Sequence, residues 1–331
     1  MVTVPPMKAA LVLGSGGVLG GAFHAGVVKA LYDVVGVDAR DFQVIVGTSA
    51  GSISGALLGA RLHPNDLYRR ETGGTLSPAG ARLLAEARAR VGSGYSGPRR
   101  SSLGWPVAPH LMWRSAMSAL AGDGSVSPGA ALAGLAPRGT TPVEPIRALV
   151  DGLVSDRPAG TWAWPGDPHI SVCAVDLRSG RRTVFDGSQS GVSFGDAVAA
   201  SCSVPSVFEP VVIGGRTYTD GGVHSSDNAD VISGVRWDLV VVSSPMSIHD
   251  VGRLSGPWHP LRVMTRRQTD SEVARLDAAH SVVIRPGPDD LHTMGSNMLD
   301  GSKRAAVALA AYNTASNVFS KRLSEHGIKM K

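Results

Sequence analysis

The sequence predicts an α/β fold, a three-layer sandwich in which helices cover both faces of a mostly parallel central sheet. Three observations carry that expectation. Two apolar runs, "KAALVLG" at 8–14 and "FQVIVG" at 42–47, each end in glycine and lead into a helix-like segment. Strand, helix, strand and helix thus follow one another early in the chain, the pattern of parallel strands joined by crossover helices. Strand-like runs return at 169–177, 237–245 and 280–287. The composition agrees, since 43% of the 331 residues are hydrophobic and 41 are glycine, which suits a large core and many tight turns. Residues 1–331 are expected to form one domain.

The elements follow in order. The run at 8–14 is continuously apolar, as in a strand buried on both faces. In "GGAFHAGVVKALYDVVG", residues 20–36, Phe23, Val27, Leu31, Val34 and Val35 recur at helical spacing. After the second strand, "AGSISGALLGARL" at 50–62 predicts a helix rich in small residues. Residues 72–140 break the alternation: helices at 81–91 and 110–120 flank a loop rich in Gly, Ser and Pro, which marks an insertion and not a second core. Within it Trp105, Leu111, Met112 and Trp113 lie near Arg99, Arg100 and Arg114, a mix that suits a cover or a lipid interface as well as an ordinary packed insertion. Beyond the strand at 169–177 come a helix at 193–201, a short strand before Asp220, and strands at 237–245 and 280–287. A helix at 301–323 closes the pattern, with Ala305, Ala306, Leu309, Tyr312 and Val318 on its expected buried stripe.

Charge and composition exclude several function classes. The formal charge is +5, but the arginines are scattered and no basic block is interleaved with aromatics, so a mild attraction to anionic surfaces is expected and nucleic acid is not. The ten histidines are dispersed without paired spacing, so no metal site is expected. Cys173 and Cys202 lack C-x-x-C spacing and read as reduced core thiols of a cytoplasmic protein, at most peripheral at the inner membrane face. The apolar run after Lys8 is too short for a signal peptide. No run approaches about 18 uninterrupted apolar residues, so no transmembrane helix is expected.

Chemistry concentrates in three places. Gly47-Thr48-Ser49-Ala50-Gly51 joins a strand to a helix, where a serine between two glycines suits a nucleophile held on a sharp, strained turn. A glycine-rich turn with a helix-capping serine is the other reading. "GSGGVLGG" at 14–21 gathers backbone N–H groups at a helix N-terminus, which suits an oxyanion or a pyrophosphate. The dinucleotide fingerprint fails: counting from Gly14, the sixth position is Leu19 and Gly20 comes one residue late. The second strand also lacks the acidic residue that would hold a ribose. Asp220, after a short strand and before Gly221-Gly222, is a candidate base, with Asp-Gly turn chemistry as the ordinary alternative. His24 reads as a packed core histidine, Asp176 and Asp186 as turn residues, and Pro205 as the end of a helix.

Taken together, "LVLGSGGVLGGAFHAGVVKAL" (11–31), "VGTSAGS" (46–52), "AVAASCSVPSVFEPV" (197–211) and "TYTDGG" (217–222) resemble the patatin-like phospholipases, in the family's order over about residues 8–230. The resemblance implies a serine acyl hydrolase acting on lipid esters without a cofactor, with Ser49 as nucleophile and Asp220 as its partner in a dyad without histidine. It makes Gly47 and Gly51 the flanks of a nucleophile elbow, and the N–H groups of Gly16, Gly17 and Val18 the oxyanion hole. There are departures. Ser15 stands where the family has its first glycine, Leu19 stands where it has arginine or lysine, and the approach to His24 is one residue longer. Two alternatives stay open: a lipid-binding or regulatory protein without turnover, and a Ser-Asp-His esterase drawing on His224, His249, His280 or His292, all of which follow Asp220.

Overall fold

The structure is a computed structural model and describes residues 7–89, 91, 106–121, 126–154, 164–252 and 256–326. The apolar runs become strands: β1 (Ala9–Leu13), β2 (Val44–Thr48), β3 (His169–Asp176), β4 (Arg182–Phe185), β5 (Val211–Ile213), β6 (Arg216–Asp220), β7 (Arg236–Ser243) and β8 (Asp277–Ile284). They build one sheet in the order β5-β6-β3-β2-β1-β7-β8, with β4 paired to β3. The path from β3 through β2, β1 and β7 to β8 is parallel throughout. The short edge pieces are antiparallel: β4 and β6 to β3, and β5 to β6.

The helices are α1 (Gly17–Ala30), α2 (Ala50–Gly59), α3 (Pro64–Thr72), α4 (Pro78–Ala89), α5 (Leu111–Ala121), α6 (Pro128–Leu135), α7 (Glu144–Leu153), α8 (Phe194–Ser201), α9 (His259–Val273), α10 (Pro288–Met294) and α11 (Arg304–His326). Alternation along the strands decides the layers. Ala9, Leu11 and Leu13 of β1 join the large core shared with α1, α2, α8 and α11, while Ala10 and Val12 join a smaller core with Val240 and Val242 of β7 and Val273 of α9. Helices therefore cover both faces, and the sheet is mostly parallel, as the sequence predicts. Among the described residues the insertion forms no second core: α5 and α6 bury only small satellite clusters around Leu111 and Val126.

The central helix α1 is buried nearly all round, and one π-helical turn, Leu31–Val35, extends it. By length and composition Gly17–Val35 could cross a membrane, with a mean hydropathy of 1.3, yet in this fold α2, α3 and α11 enclose it as a core helix. The stripe expected on α11 is corrected. Val307, Ala308, Ala311, Ala315 and Phe319 are buried, whereas Ala305, Ala306 and Leu309 are exposed. The cause lies in α1, where a Cβ on Gly26 would stand 2.3 Å from the Ala308 carbonyl oxygen and 2.9 Å from Ala311 Cβ. The helices meet so closely that only small side chains fit between them, and Leu309 turns outward.

Register places the chemistry. Leu13 of β1 lies opposite Gly47 of β2 and Ser243 of β7, so three parallel strands end side by side. The crevice beyond such ends is the usual ligand site of α/β sheets. Thr48 pairs with Cys173, and Ala174 on the same strand pairs with Asp220, so the antiparallel β6 delivers its last residue next to the turn that follows β2.

Candidate active site

β2 stops at Thr48 and α2 starts at Ala50, so Ser49 alone turns the chain, with φ 53° and ψ −119°. A non-glycine residue held there stores about 1–3 kcal/mol, which the surroundings must over-determine. They do. A Cβ on Gly51 would sit 1.9 Å from the Leu13 carbonyl oxygen, and one on Gly47 would sit 2.5 Å from Ser52 Cα, so neither flank admits a side chain. The Ser49 N–H donates to Ser201 Oγ at 2.8 Å, and its carbonyl accepts from Ser52 Oγ at 2.6 Å and Cys202 Sγ at 3.3 Å. The backbone is fastened, and the hydroxyl is left for other partners.

The glycine-rich loop is fixed from several sides. The Gly14 N–H donates to the Ser243 carbonyl at 3.0 Å, the Ser15 N–H to the Ser226 carbonyl at 2.7 Å, and the Leu19 N–H to the Met298 carbonyl at 3.1 Å. His24, fully buried in α1, donates from Nε2 to the Gly14 carbonyl at 2.7 Å, which leaves Nδ1 to accept from Ser243 Oγ at 2.8 Å. Burial pushes its pKa down to about 4, so it is a neutral structural clamp, the core histidine the sequence implies. Arg262, 1% exposed, donates to the Pro245 and Ser247 carbonyls at 2.7 and 3.0 Å. Pro245 in turn lies against Gly16 and Gly20. The N–H groups of Gly16, Gly17 and Val18 have no protein acceptor among the described residues, as befits the first turn of a helix.

Asp220 is buried at the end of β6. Its Oδ1 accepts from the Gly222 N–H at 2.7 Å. Oδ2 is buried and has no hydrogen-bond partner of standard geometry among the described residues. Burial pushes the carboxyl up to about 6, while the Ser49 hydroxyl beside it and the Gly222 N–H favour the charged form. Ser49 is thus near enough to act on the carboxylate without completing a well-directed bond, a looseness usual in unliganded sites.

A cavity of about 290 Å³ opens over Ser49. Gly17 and Val18 share its wall with Ser49, and Ile53, Val204 and Phe208 make it largely apolar. The model of a family described as patatin-like phospholipase matches residues 11–232, two thirds of the chain. The chain belongs to the patatin-like phospholipase family. It also resembles the crystal structure of VipD from Legionella pneumophila at 15% identity and a TM-score of 0.45, covering 96% of this chain and 67% of that one. Against ExoU in the ExoU–SpcU complex from Pseudomonas aeruginosa, identity is 17% and the TM-score 0.40, over 97% of this chain and 52% of ExoU. The chain therefore spans about half the length of ExoU.

Within the patatin-like site, the departure at Leu19 has a structural cause: the side chain is fully buried in the main core, where a cation would be unpartnered. Ser15 lies against Gly222, so the two loops touch at the point where the first glycine is missing. None of His224, His249, His280 and His292 lines the Ser49 cavity. The charged groups acting on His224 are Arg182 and Asp230. Both cysteines are buried free thiols; Cys202 reaches the cavity, and burial raises the pKa of each. Asp176 and Asp186 accept from the turn amides at Arg178 and Ser188, as expected of turn residues. No group of three or more His, Cys, Asp or Glu that could hold a metal occurs among the described residues.

Sequence reasoning missed Arg70, Glu71 and Arg304, which line the same cavity. Arg70-Glu71 in "NDLYRRET" reads as a solvated helix end, and nothing local ties it to a residue 233 positions away. The signal for Val204 and Phe208 was present, because both lie in the family segment 197–211.

Proposed function

We propose that this protein is a serine acyl hydrolase that cleaves carboxylic esters of lipids through a Ser49/Asp220 dyad. The observation that carries the reading is the buried Asp220 carboxylate, anchored through one oxygen and open at the other, beside a serine on a strained strand-to-helix turn. Ser49 Oγ attacks the ester carbonyl carbon while its proton passes to Asp220. The electron pair displaced from the carbonyl is held as an oxyanion by the Gly16, Gly17 and Val18 N–H groups at the start of α1. Collapse breaks the ester bond, and the leaving alkoxide takes the proton from Asp220. Water then repeats the sequence on the acyl-enzyme, releasing the fatty acid and Ser49. A carboxylate with a pKa near 6 suits both halves, since it is charged at neutral pH yet basic enough to accept a proton.

The lipid approaches from the α5–α6 side. Trp113 and Leu120 on α5 and Leu132 on α6 are 71%, 83% and 71% exposed, with Met112 and Met117 beside them. Ser127 at the start of α6 donates to the Val223 carbonyl, so this apolar face is tied to the loop that follows Asp220. Such a face suits peripheral insertion into a lipid surface. Of the other residues of that expectation, Leu111 is fully buried against Ala108 and Leu177 and so does not face a lipid, Arg114 Nε donates to the Ser179 carbonyl, and Arg99, Arg100 and Trp105 lie outside the described residues.

An active-site-directed fluorophosphonate tests the core of the reading. It should label wild type at Ser49, and Ser49→Ala should be neither labelled nor active on p-nitrophenyl esters. Folded wild type that resists labelling and hydrolyses no ester of any chain length would favour the non-catalytic lipid-binding alternative. A single histidine variant as inactive as Ser49→Ala would replace the dyad by a three-residue site.

A further inference from the structure

Two guanidinium groups converge on the Ser49 cavity from elements distant in sequence. Arg70 comes from the last turn of α3 and Arg304 from the first residue of α11, and both line the cavity together with Glu71. Glu71 Oε1 accepts from Arg70 Nη1 at 2.6 Å and Oε2 accepts from Arg304 Nε at 2.6 Å. One carboxylate is shared by two cations, so the cluster keeps a net positive charge, and Arg88 on α4 adds to the positive field at Arg70. Each guanidinium carries five N–H donors. The bonds to Glu71 are the ones each side chain makes among the described residues, which leaves donors over for a ligand. The remaining wall is apolar, with Ile53, Ile146, Val204, Phe208 and Leu299. A cavity of this volume, about 290 Å³, takes a segment of one acyl chain with its ester, not a whole diacyl lipid.

We propose that Arg70 and Arg304 form an anion subsite that binds the phosphate of a phospholipid while the neighbouring ester carbonyl reaches Ser49. This rests on the reading of Ser49 as the acyl-hydrolase nucleophile and adds a substrate preference to it. The geometry fits the chemistry: a planar fork matches phosphate oxygens in pairs, and a phosphodiester lies a few bonds from the ester it accompanies. Burial and the neighbouring cations disfavour the charge on Arg70, and a bound anion relieves both. The subsite also answers the loss at Leu19. The glycine-rich loop brings no cation to this cavity, and the cavity obtains its positive charge from α3 and from α11, the latter outside the matched positions 11–232.

The test compares a short-chain phosphatidylglycerol with the diacylglycerol bearing the same acyl chains, reading the ratio of kcat/KM for the two. Wild type should prefer the phospholipid, and Arg70→Gln and Arg304→Gln should each lower the ratio by about tenfold, the usual scale for one charge-assisted contact. Glu71→Gln frees both guanidiniums and should raise the ratio. A cluster that only ties α3 to α11 would leave the ratio unmoved in all three variants, and that result overturns the proposal. If either arginine variant fails to fold by circular dichroism, Glu71→Gln decides: a raised ratio supports the subsite, and an unmoved ratio overturns it. Inorganic phosphate should inhibit diacylglycerol hydrolysis by wild type and lose that effect in Arg304→Gln. Phosphate inhibition combined with an unmoved ratio would assign the site to a free anion and overturn the headgroup assignment. Fluorophosphonate labelling runs alongside. With Ser49 labelled and the ratio unmoved, the subsite alone falls; with Ser49 unlabelled in folded wild type, the hydrolase reading falls and takes the subsite with it.

Discussion

At the scale of single residues, Asp220 works against the fold that holds it. Burial lifts its pKa from 3.8 to about 6, which is roughly 3 kcal/mol against the charged form. The unfolded chain keeps this carboxylate charged above about pH 4, whereas the folded chain keeps it protonated to about 6. Folding therefore takes up a proton between those values, and this group's contribution is lost as pH rises through 6. Asp220→Asn should accordingly unfold at higher urea concentration than wild type at pH 8, while its ester hydrolysis falls by about three to four orders of magnitude. A variant that is both inactive and less stable would show that the carboxylate has a structural role. The same pKa sets the rate profile: kcat/KM should climb about tenfold per pH unit below 6 and level off above it. In Ser49→Ala the hydroxyl that favours the carboxylate is gone, so the Asp220 pKa should move further up, which carboxyl NMR can follow.

At the scale of elements, close approach governs α1 and α2. Gly51→Ala drives a methyl into the Leu13 carbonyl, and Gly26→Ala drives one into α11 at the Ala308 carbonyl. Each should destabilise the protein by at least the 1–3 kcal/mol typical of overpacking, measured by urea unfolding. Only Gly51→Ala, beside Ser49, should also abolish fluorophosphonate labelling in protein that still folds. On the α5–α6 face, Trp113→Ala combined with Leu120→Ala should reduce co-sedimentation with anionic vesicles while leaving hydrolysis of a soluble ester in place. Unchanged sedimentation would remove that face as the lipid contact. These contrasts also explain what was legible in the sequence. Strands β1, β2, β3 and β7 are central and buried on both faces, so they stand out as apolar runs. β4 and β5 are short pieces at or beside the edge, with Arg182, Thr183 and the exposed Val212 breaking the run. α9 reads as polar because its buried positions are Arg262, Thr265, Thr269 and Glu272. The turn at Ser49 and the glycine loop are local patterns, visible as strings. The pairing of Glu71 with Arg304 exists only after folding, and hydropathy favoured Leu309 for the buried stripe because it cannot register how closely α1 and α11 meet.

At the scale of the whole molecule, buried acids set the response to pH. Burial pushes Asp220 and Asp227 up to about 6 and Glu272 up to about 7. Asp227 is wedged against Gly14, and Glu272 accepts from the Ala229 N–H at 2.8 Å, so two of the three acids hold the loops around the site. All three bind protons in the folded state that the unfolded chain has released by pH 5, so they favour folding at the acid end of the range from 5 to 7. His24, lowered to about 4, acts in the opposite direction over the same range, as do His63 and His224, both also lowered by burial. Asp151 and Asp290, also raised by burial, side with the acids, and the melting temperature should fall as pH rises from 5 to 7. A melting temperature that climbs steadily over that range would contradict these burial effects.

The seam where Gly26 meets α11 has a further consequence, in the order of synthesis. Synthesis runs from the N-terminal side, so the turn at Ser49 and the glycine loop emerge before Asp220, while β1 still lacks β7 as a neighbour and α1 lacks α11. Until the last helix arrives, the tight groove along α1 is open, and Arg304 is absent from the cavity wall. A nascent chain therefore shows an apolar surface that chaperones can recognise, and it carries only part of the wall of the Ser49 cavity. The helix that seals the core along α1 is thus also the one that completes the wall of the Ser49 cavity.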